Sequence, residues 1–258
     1  MMQRRLFLAS AATAVILAAA GVPSPAAAEE FDVDGRVALD AYRALVDEYL
    51  AGVLTALKGA AKSVEAASGK WDDVKPMIVE LASDIVAEAA VWYALPDGSY
   101  DTAEEGPTEN NLKDRDYFPD LLAGKDVLGP LVISKSTGHR SIIVATPVMA
   151  DGKMQAALGV SVRARLLSDY VMTRTNMPPE LIFYALDGTG KTVLHRDPDK
   201  MFHYPSDMGD SSLDAAVKEI LGKQSGAVTY SLLGKERTGL FTKSNLTGWH
   251  FVLVHEKG

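Results

Sequence analysis

The chain has 258 residues, 47% hydrophobic and 23% charged, enough apolar material for a sizeable core in one large domain or two small ones. A formal charge of −8, with no run of Lys and Arg on any predicted face, argues against a nucleic-acid partner. The lack of cysteine excludes disulfides, thiolate metal sites, thiol nucleophiles and a lipoprotein anchor.

Residues 1–28 read as an export signal. Arg4-Arg5 precedes an apolar run over residues 6–22, and Ala26-Ala27-Ala28 offers an A-x-A cleavage site before Glu29. Arg4-Arg5-Leu6-Phe7-Leu8 resembles the twin-arginine export motif, although Gln3 and Ala9 depart from its usual flanks, so the general route stays open. Cleavage after Ala28 would deliver the chain to the periplasm. No second apolar segment approaches membrane length, so the cleaved protein is expected to be soluble.

Residues 33–67 have a helical pattern. Val46, Leu50, Val53, Leu57, Ala60, Val64 and Ala67 recur at alternating steps of three and four. This helix, assigned to residues 29–70, suits a rod carrying two lobes, and its 3.5-residue spacing equally suits half of a coiled-coil homodimer. A second helix is expected over 71–89, with Asp72 as N-cap and Val74, Ile78, Leu81 and Ile85 on its buried face.

A strand over 90–95 turns at Pro96-Asp97-Gly98. Residues 110–118, Asn-Asn-Leu-Lys-Asp-Arg-Asp-Tyr-Phe, form a polar and aromatic loop. Three strands follow at 127–134, 139–149 and 154–163, separated by Ser136-Thr137-Gly138 and Asp151-Gly152-Lys153. A helix over 164–175 and Pro178-Pro179 make a joint. Then Tyr184-Ala185-Leu186-Asp187-Gly188 echoes Tyr93-Ala94-Leu95-Pro96-Asp97-Gly98. The echo continues with a helix over 211–221, Asp214 forming its capping box and Gly222 its C-cap, and strands at 226–232, 238–244 and 249–255. Two α+β lobes result, 71–175 and 176–258.

For catalysis there is no G-x-S-x-G, H-E-x-x-H or phosphate-cradling glycine loop. His195 and His203 flank Asp197, Asp199 and Tyr204, but the spacing fits no metal-ligand pattern and reads as a solvated loop. Asp187-Gly188-Thr189-Gly190-Lys191 lacks the acids of a calcium loop and reads as a hairpin turn. Trp249 and Phe251 alternate on a strand and read as core. No enzymatic activity, metal or cofactor is expected.

Asp114-Arg115-Asp116-Tyr117-Phe118, followed by a strand, a Thr-Gly turn, Ile-Ile-Val-Ala-Thr-Pro-Val at 142–148, a Gly turn and Leu-Gly-Val-Ser-Val at 158–162, resembles the ligand-binding half of a double Cache (dCache) domain. The resemblance implies an extracytoplasmic sensor with two PAS-like lobes on one long helix, each lobe built on a central antiparallel sheet. Receptors of this family continue into a membrane helix and a signalling module. With Gly258 just past the last strand, a stand-alone soluble form is expected, reporting to a membrane receptor or kinase.

In amino-acid-sensing members an Arg-x-Trp-Tyr run binds the ligand carboxylate, and it falls here on Arg115-Asp116-Tyr117-Phe118. The family's upstream Tyr position is Asn110, and its amine-binding Asp position, aligned through Leu158-Gly159, is Ser161. Trp92, alternating with Val91 and Tyr93, is either a pocket wall or core. The cationic fork is kept and the amine's counter-charge is lost, which favours a small carboxylate-bearing or polar metabolite over a zwitterion, unless Asp116 serves the amine. The alternative for Arg115 is a surface salt bridge to Asp114 or Asp116. Arg237 in the second lobe reads as lacking comparable aromatic neighbours. Readings from other classes are an exported enzyme or cofactor-binding protein using the twin-arginine route, and a purely structural accessory protein.

Overall fold

A computed structural model describes residues 34–85 and 89–256; the expected export signal and the end of the second helix at 86–88 lie outside the described residues. Helix α1 (Gly35–Ala60) is capped by the Asp34 carboxylate, which accepts from the Arg36 amide at 2.8 Å. Leu39, Tyr42, Val46, Leu50, Val53 and Leu57 form its buried stripe. Twenty-six residues make a rod of about 39 Å.

The helix ends seven residues before the expected 67. Ser63 accepts from the Ala66 amide at 3.1 Å, offering the backbone a partner other than the helical one. A short 3-10 turn, Ala66–Ser68, follows, and Gly69 closes it at φ +71°. Val64 is therefore not part of the stripe and is 80% exposed. Helix α2 (Trp71–Asp84) starts after Lys70, and Asp72 lies in its first turn rather than at the cap. There its charge still favours the helix N-terminus. Val74 and Ile78 are buried, Leu81 is half-buried, and Ile85 falls past the helix end.

The first sheet comprises β1 (Ala89–Ala94), β2 (Ser99–Thr102), β3 (Gly106–Asn111), β4 (Val127–Ile133), β5 (Arg140–Ala150) and β6 (Lys153–Arg163). Its order is β3-β2-β1-β6-β5-β4, antiparallel throughout. Helix α3 (Phe118–Leu122) sits in the loop before β4, and α4 (Ala164–Thr175) leads out of β6, ending at Asn176 with φ +45°. The second sheet comprises β7 (Leu181–Leu186), β8 (Thr192–His195), β9 (Ser225–Leu232), β10 (Lys235–Lys243) and β11 (His250–Glu256), in the order β8-β7-β11-β10-β9. Helix α5 (Ser211–Leu221) packs on it. Asp210, not Asp214, caps α5, accepting from the amides of Ser212 and Leu213, and Gly222 ends it in a right-handed conformation at φ −81°.

One core joins the stripe of α1 to Val91, Tyr93, Val144, Leu158 and Val160 of the first sheet and to Phe183, Ala185, Phe251 and Leu253 of the second. Tyr42 stands between Phe183 and Phe251, with ring centroids 5.0 Å from each. Trp249 belongs to this core and lies against Gly129 of the first lobe. The stripe is thus covered by the chain's own sheets and is not free to pair with a second copy. Polar ties repeat the arrangement. Asp126 takes bonds from Lys58 of α1 and Thr146 of β5, at 2.7 Å each, and Asp47 of α1 takes bonds from Arg43 at 3.1 Å and from Ser244 at 2.8 Å.

The two hairpins are alike, but not in the register of the sequence echo. Leu95 donates to Ser99 and accepts from Gly98, while Asp187 donates to Lys191 and accepts from Gly190. Leu95 therefore matches Asp187, and Trp92 matches Tyr184. The echo, which pairs Tyr93 with Tyr184, is one residue out. A shift of one reverses the face of every side chain: Tyr93 is in the core beneath α1, and Tyr184 is on the outer face beside α5.

Candidate functional site

In the first lobe the residues singled out from the sequence come together in part. Trp92 on β1 is the cross-strand partner of Gly159 on β6, and a Cβ added at Gly159 would lie 2.0 Å from the indole. Only glycine permits this packing. The Trp92 indole N–H donates to the Ser161 hydroxyl at 3.2 Å, with both residues buried. Tyr117 and Phe118 close over the same face with Leu112, Leu121, Val127 and Ile143. Trp92 is therefore part of a packed layer as well as the neighbour of Ser161.

Arg115 is half-buried and holds the Ile133 carbonyl through Nη2 at 2.6 Å, while its buried Nε–H has no partner. Asp114 pairs with Lys135, and Asp116 is exposed, so no ion pair of Arg115 appears among the described residues. Burial raises the Tyr117 phenol, and the Arg115 charge beside it opposes that rise. Asn110 is exposed on β3 and donates to the Lys135 carbonyl at 3.4 Å.

The second lobe contains a cavity of about 630 Å³. Ile182 and Tyr184 of β7, His195 of β8, Tyr230 and Leu232 of β9, and Arg237 of β10 line its inner part. Leu213 of α5 and the segment 196–208 complete it. His195, expected in a solvated loop, ends a strand here and packs parallel to Tyr184, with centroids 6.0 Å apart and planes at 20°. The Asp197 amide donates to His195 Nδ1 at 2.8 Å, which assigns the ring proton to Nε2. Burial, opposed by Asp197, lowers its pKa to about 4, so the ring is neutral near pH 7.

Arg237 is the cross-strand partner of Tyr230, whose hydroxyl it meets. Tyr230 in turn neighbours the Tyr184 hydroxyl, which is wholly buried and makes no hydrogen bond of good geometry. Arg237 thus does have aromatic neighbours, contrary to the sequence reading. That reading begins the strand at Thr238, after a turn at Gly234-Lys235, and so leaves Arg237 outside it. The turn is Leu233-Gly234, with φ +54° and +78° and Leu232 paired to Lys235. Two positive-φ residues make the tight type I′ hairpin, and counting from it places Arg237 opposite Tyr230. Among the described residues no three His, Asp or Glu side chains converge as metal ligands, and no helix is long and apolar enough to cross a membrane.

The chain matches the family model described as Cache domain (dCache) over residues 26–257. No curated protein matches. Among solved structures it is similar to the ligand-binding domain of the Pseudomonas aeruginosa PAO1 amino acid chemoreceptor PctB in complex with L-Arg, at 16% identity and TM-score 0.69, covering 87% of this chain and 94% of that one. It is also similar to the ligand-binding domain of the Pseudomonas fluorescens chemoreceptor CtaA in complex with L-alanine, at 15% identity and TM-score 0.67, covering 86% and 95%. The sensory domain of the Campylobacter jejuni chemoreceptor Tlp3 follows at 15% and 0.63, covering 84% and 90%. The chain therefore belongs to the Cache domain family, as a double Cache domain.

Proposed function

We propose that this protein is an exported periplasmic sensor that binds a small carboxylate-bearing or polar metabolite in its first lobe and reports it to a membrane receptor or kinase. The observation that carries this reading is the buried, unpartnered Nε–H of Arg115 beside Tyr117. A guanidinium anchored at one nitrogen and left unsatisfied at another is suited to a carboxylate. At the position where the family's amine-binding acid falls, Ser161 is already engaged by Trp92. An ammonium there would meet a hydroxyl and an indole donor and no carboxylate, a loss on the order of kilocalories. The PctB and CtaA domains were solved with L-Arg and L-alanine, and the change at Ser161 is the reason to expect a different ligand class here.

Thermal melting with a panel of small carboxylates and standard L-amino acids tests the reading. A ligand at 100 times its dissociation constant should stabilise the protein by about 2.7 kcal/mol. Arg115→Ala should abolish that shift, for about 2–5 kcal/mol of binding, and leave the ligand-free melting temperature nearly unchanged. Micromolar binding of several L-amino acids would overturn the ligand class and direct attention to Asp116. Sequencing of the mature protein should find Glu29 at its N-terminus; an intact residue 1 in the membrane fraction would refute export with cleavage.

A further inference from the structure

We propose that the cavity of the second lobe is a ligand site in its own right, built for a small aromatic carboxylate and distinct from the position of Arg115. At about 630 Å³ it lies within the ordinary range for small-molecule pockets. Its inner polar groups are a guanidinium, Arg237, a neutral imidazole with its proton on Nε2, His195, and the phenols of Tyr184 and Tyr230. Arg237, His195 and Tyr230 carry N–H or O–H donors, while the wholly buried Tyr184 hydroxyl faces Tyr230. The lining acids, Asp197, Asp199 and Asp207, are exposed at the rim, and each has a local role there. Asp197 accepts from the Asp199 amide at 3.0 Å and Asp207 from the Tyr204 amide at 3.2 Å.

The other lining cations are differently placed. Arg196 holds the carbonyls of Pro178 and Leu181, each at 2.6 Å, and Lys200 is exposed. The buried and half-buried lining beside Tyr230 is thus rich in donors, with Arg237 as its cation. It accepts an anion or an acceptor-rich group, and it disfavours an ammonium.

The remaining surface selects the body of the ligand. Tyr184 and His195, lying nearly parallel, offer a flat wall, and Ile182, Leu213 and Leu232 supply apolar contact. At the mouth, Tyr204, Met208 and Leu233 are 37%, 39% and 81% exposed, large apolar groups left in water around an opening. A planar apolar body covers these groups and stacks on the flat wall, while its carboxylate takes the Arg237 end. Arg237 already meets the Tyr230 hydroxyl. With five N–H donors it can hold a carboxylate in addition.

Benzoate, phenylacetate and 4-hydroxybenzoate are the probes, with benzyl alcohol and benzylamine as neutral and cationic counterparts, titrated into the whole mature chain and followed by amide chemical shifts. At least one acid should bind saturably, with shifts at Tyr184, Thr192, His195 and Tyr230 and none at Trp92 or Tyr117. The alcohol and the amine should bind at least about tenfold more weakly, as loss of one charge-assisted hydrogen bond implies. Arg237→Gln should weaken the acid by about tenfold or more on the same grounds, and Arg115→Gln should leave it within about twofold.

No saturable binding of any of the three acids up to about 10 mM would overturn the proposal. So would equal binding of benzyl alcohol, shifts centred on the first lobe, or an unchanged affinity in Arg237→Gln. Should Arg237→Gln fail to fold, the wild-type shift map and the comparison of acid with alcohol decide the matter. Failure here leaves the Arg115 test untouched, because the two sites are read by different variants and different amides.

Discussion

In the first lobe Trp92 lies across Gly159 and fills the outer face of its sheet; in the second, Tyr184 occupies the same place in the hairpin, opposite Val252, and borders a cavity. One pair of residues accounts for much of the difference. Where the partner strand carries glycine, the large aromatic ring folds down onto the backbone and packs. Where it carries valine, that space is already taken and the ring becomes a wall. The lobes also divide their polar chemistry. The first uses its hydroxyl at Ser161 to satisfy an indole, whereas the second leaves the Tyr184 hydroxyl without a well-made bond. A shared backbone plan therefore yields a packed layer in one lobe and an open chamber in the other.

The strongest test of this contrast is a methyl group on a strand glycine of each lobe. Gly159→Ala should cost about 2–3 kcal/mol, because the new Cβ would overlap an indole that has nowhere to move. Gly239→Ala should cost less than about 1 kcal/mol, since its Cβ would meet Val252, Val254 and Val228 at 3.4–3.5 Å, ordinary contact distance. Chemical denaturation measures both. Equal costs would mean that glycine is tolerated for its backbone alone.

Next in size are two phenol deletions. Tyr93 donates its hydroxyl to the buried Ala66 carbonyl at 2.8 Å, so Tyr93→Phe should cost about 1–2 kcal/mol by leaving that oxygen unsatisfied. Tyr184→Phe removes a hydroxyl with no well-made bond and should be neutral or slightly stabilising. A large loss in Tyr184→Phe would show that the Tyr184–Tyr230 contact is a working hydrogen bond.

Acid should act on the second lobe through His195. Its folded pKa, lowered to about 4 from 6.5 by burial, means that the unfolded chain binds the proton more readily between those values. Stability is complete above pH 6.5 and is lost as the pH falls towards 4. Relative to His195→Gln, the wild type should lose about 1 kcal/mol over that window once the partial exposure of the ring is allowed for. Melting curves that fall in parallel would refute this account.

The smallest expected effects concern the ties to α1. Burial raises the Asp47 carboxyl against the bonds from Ser244 and Arg43, so the charged form is disfavoured in the fold and this contribution to stability is lost as the pH rises through the raised pKa. Burial also pushes on Asp126, but the bonds from Lys58 and Thr146 hold it below its ordinary value, so its contribution is lost on acidification. At pH 7, Asp47→Asn should be neutral or slightly stabilising, and Asp126→Asn should cost at most about 1 kcal/mol. Opposite signs in urea melts support the assignment, and equal signs would sink it.

Local patterns in the sequence determined a great deal. The strands observed as Val127–Ile133, Arg140–Ala150 and Lys153–Arg163 and the helix Ala164–Thr175 follow from alternation, turn residues and helical spacing, which act over a few neighbours. Strand β3 escaped notice because an edge strand with little burial carries almost no apolar signal, and β3 is largely exposed. The end of α1 was misplaced because Ser63, Gly69 and the docking of Tyr93 onto Ala66 override a stripe that continues in the sequence. Trp92, Ser161, Arg115 and Tyr117 could each be singled out from the sequence. That the first two would bond to each other was not legible, since cross-strand partners depend on register. The same holds for His195 and Arg237. Which face a strand residue shows turns on a shift of one position, and only the paired strands and the tight Leu233-Gly234 turn decide it.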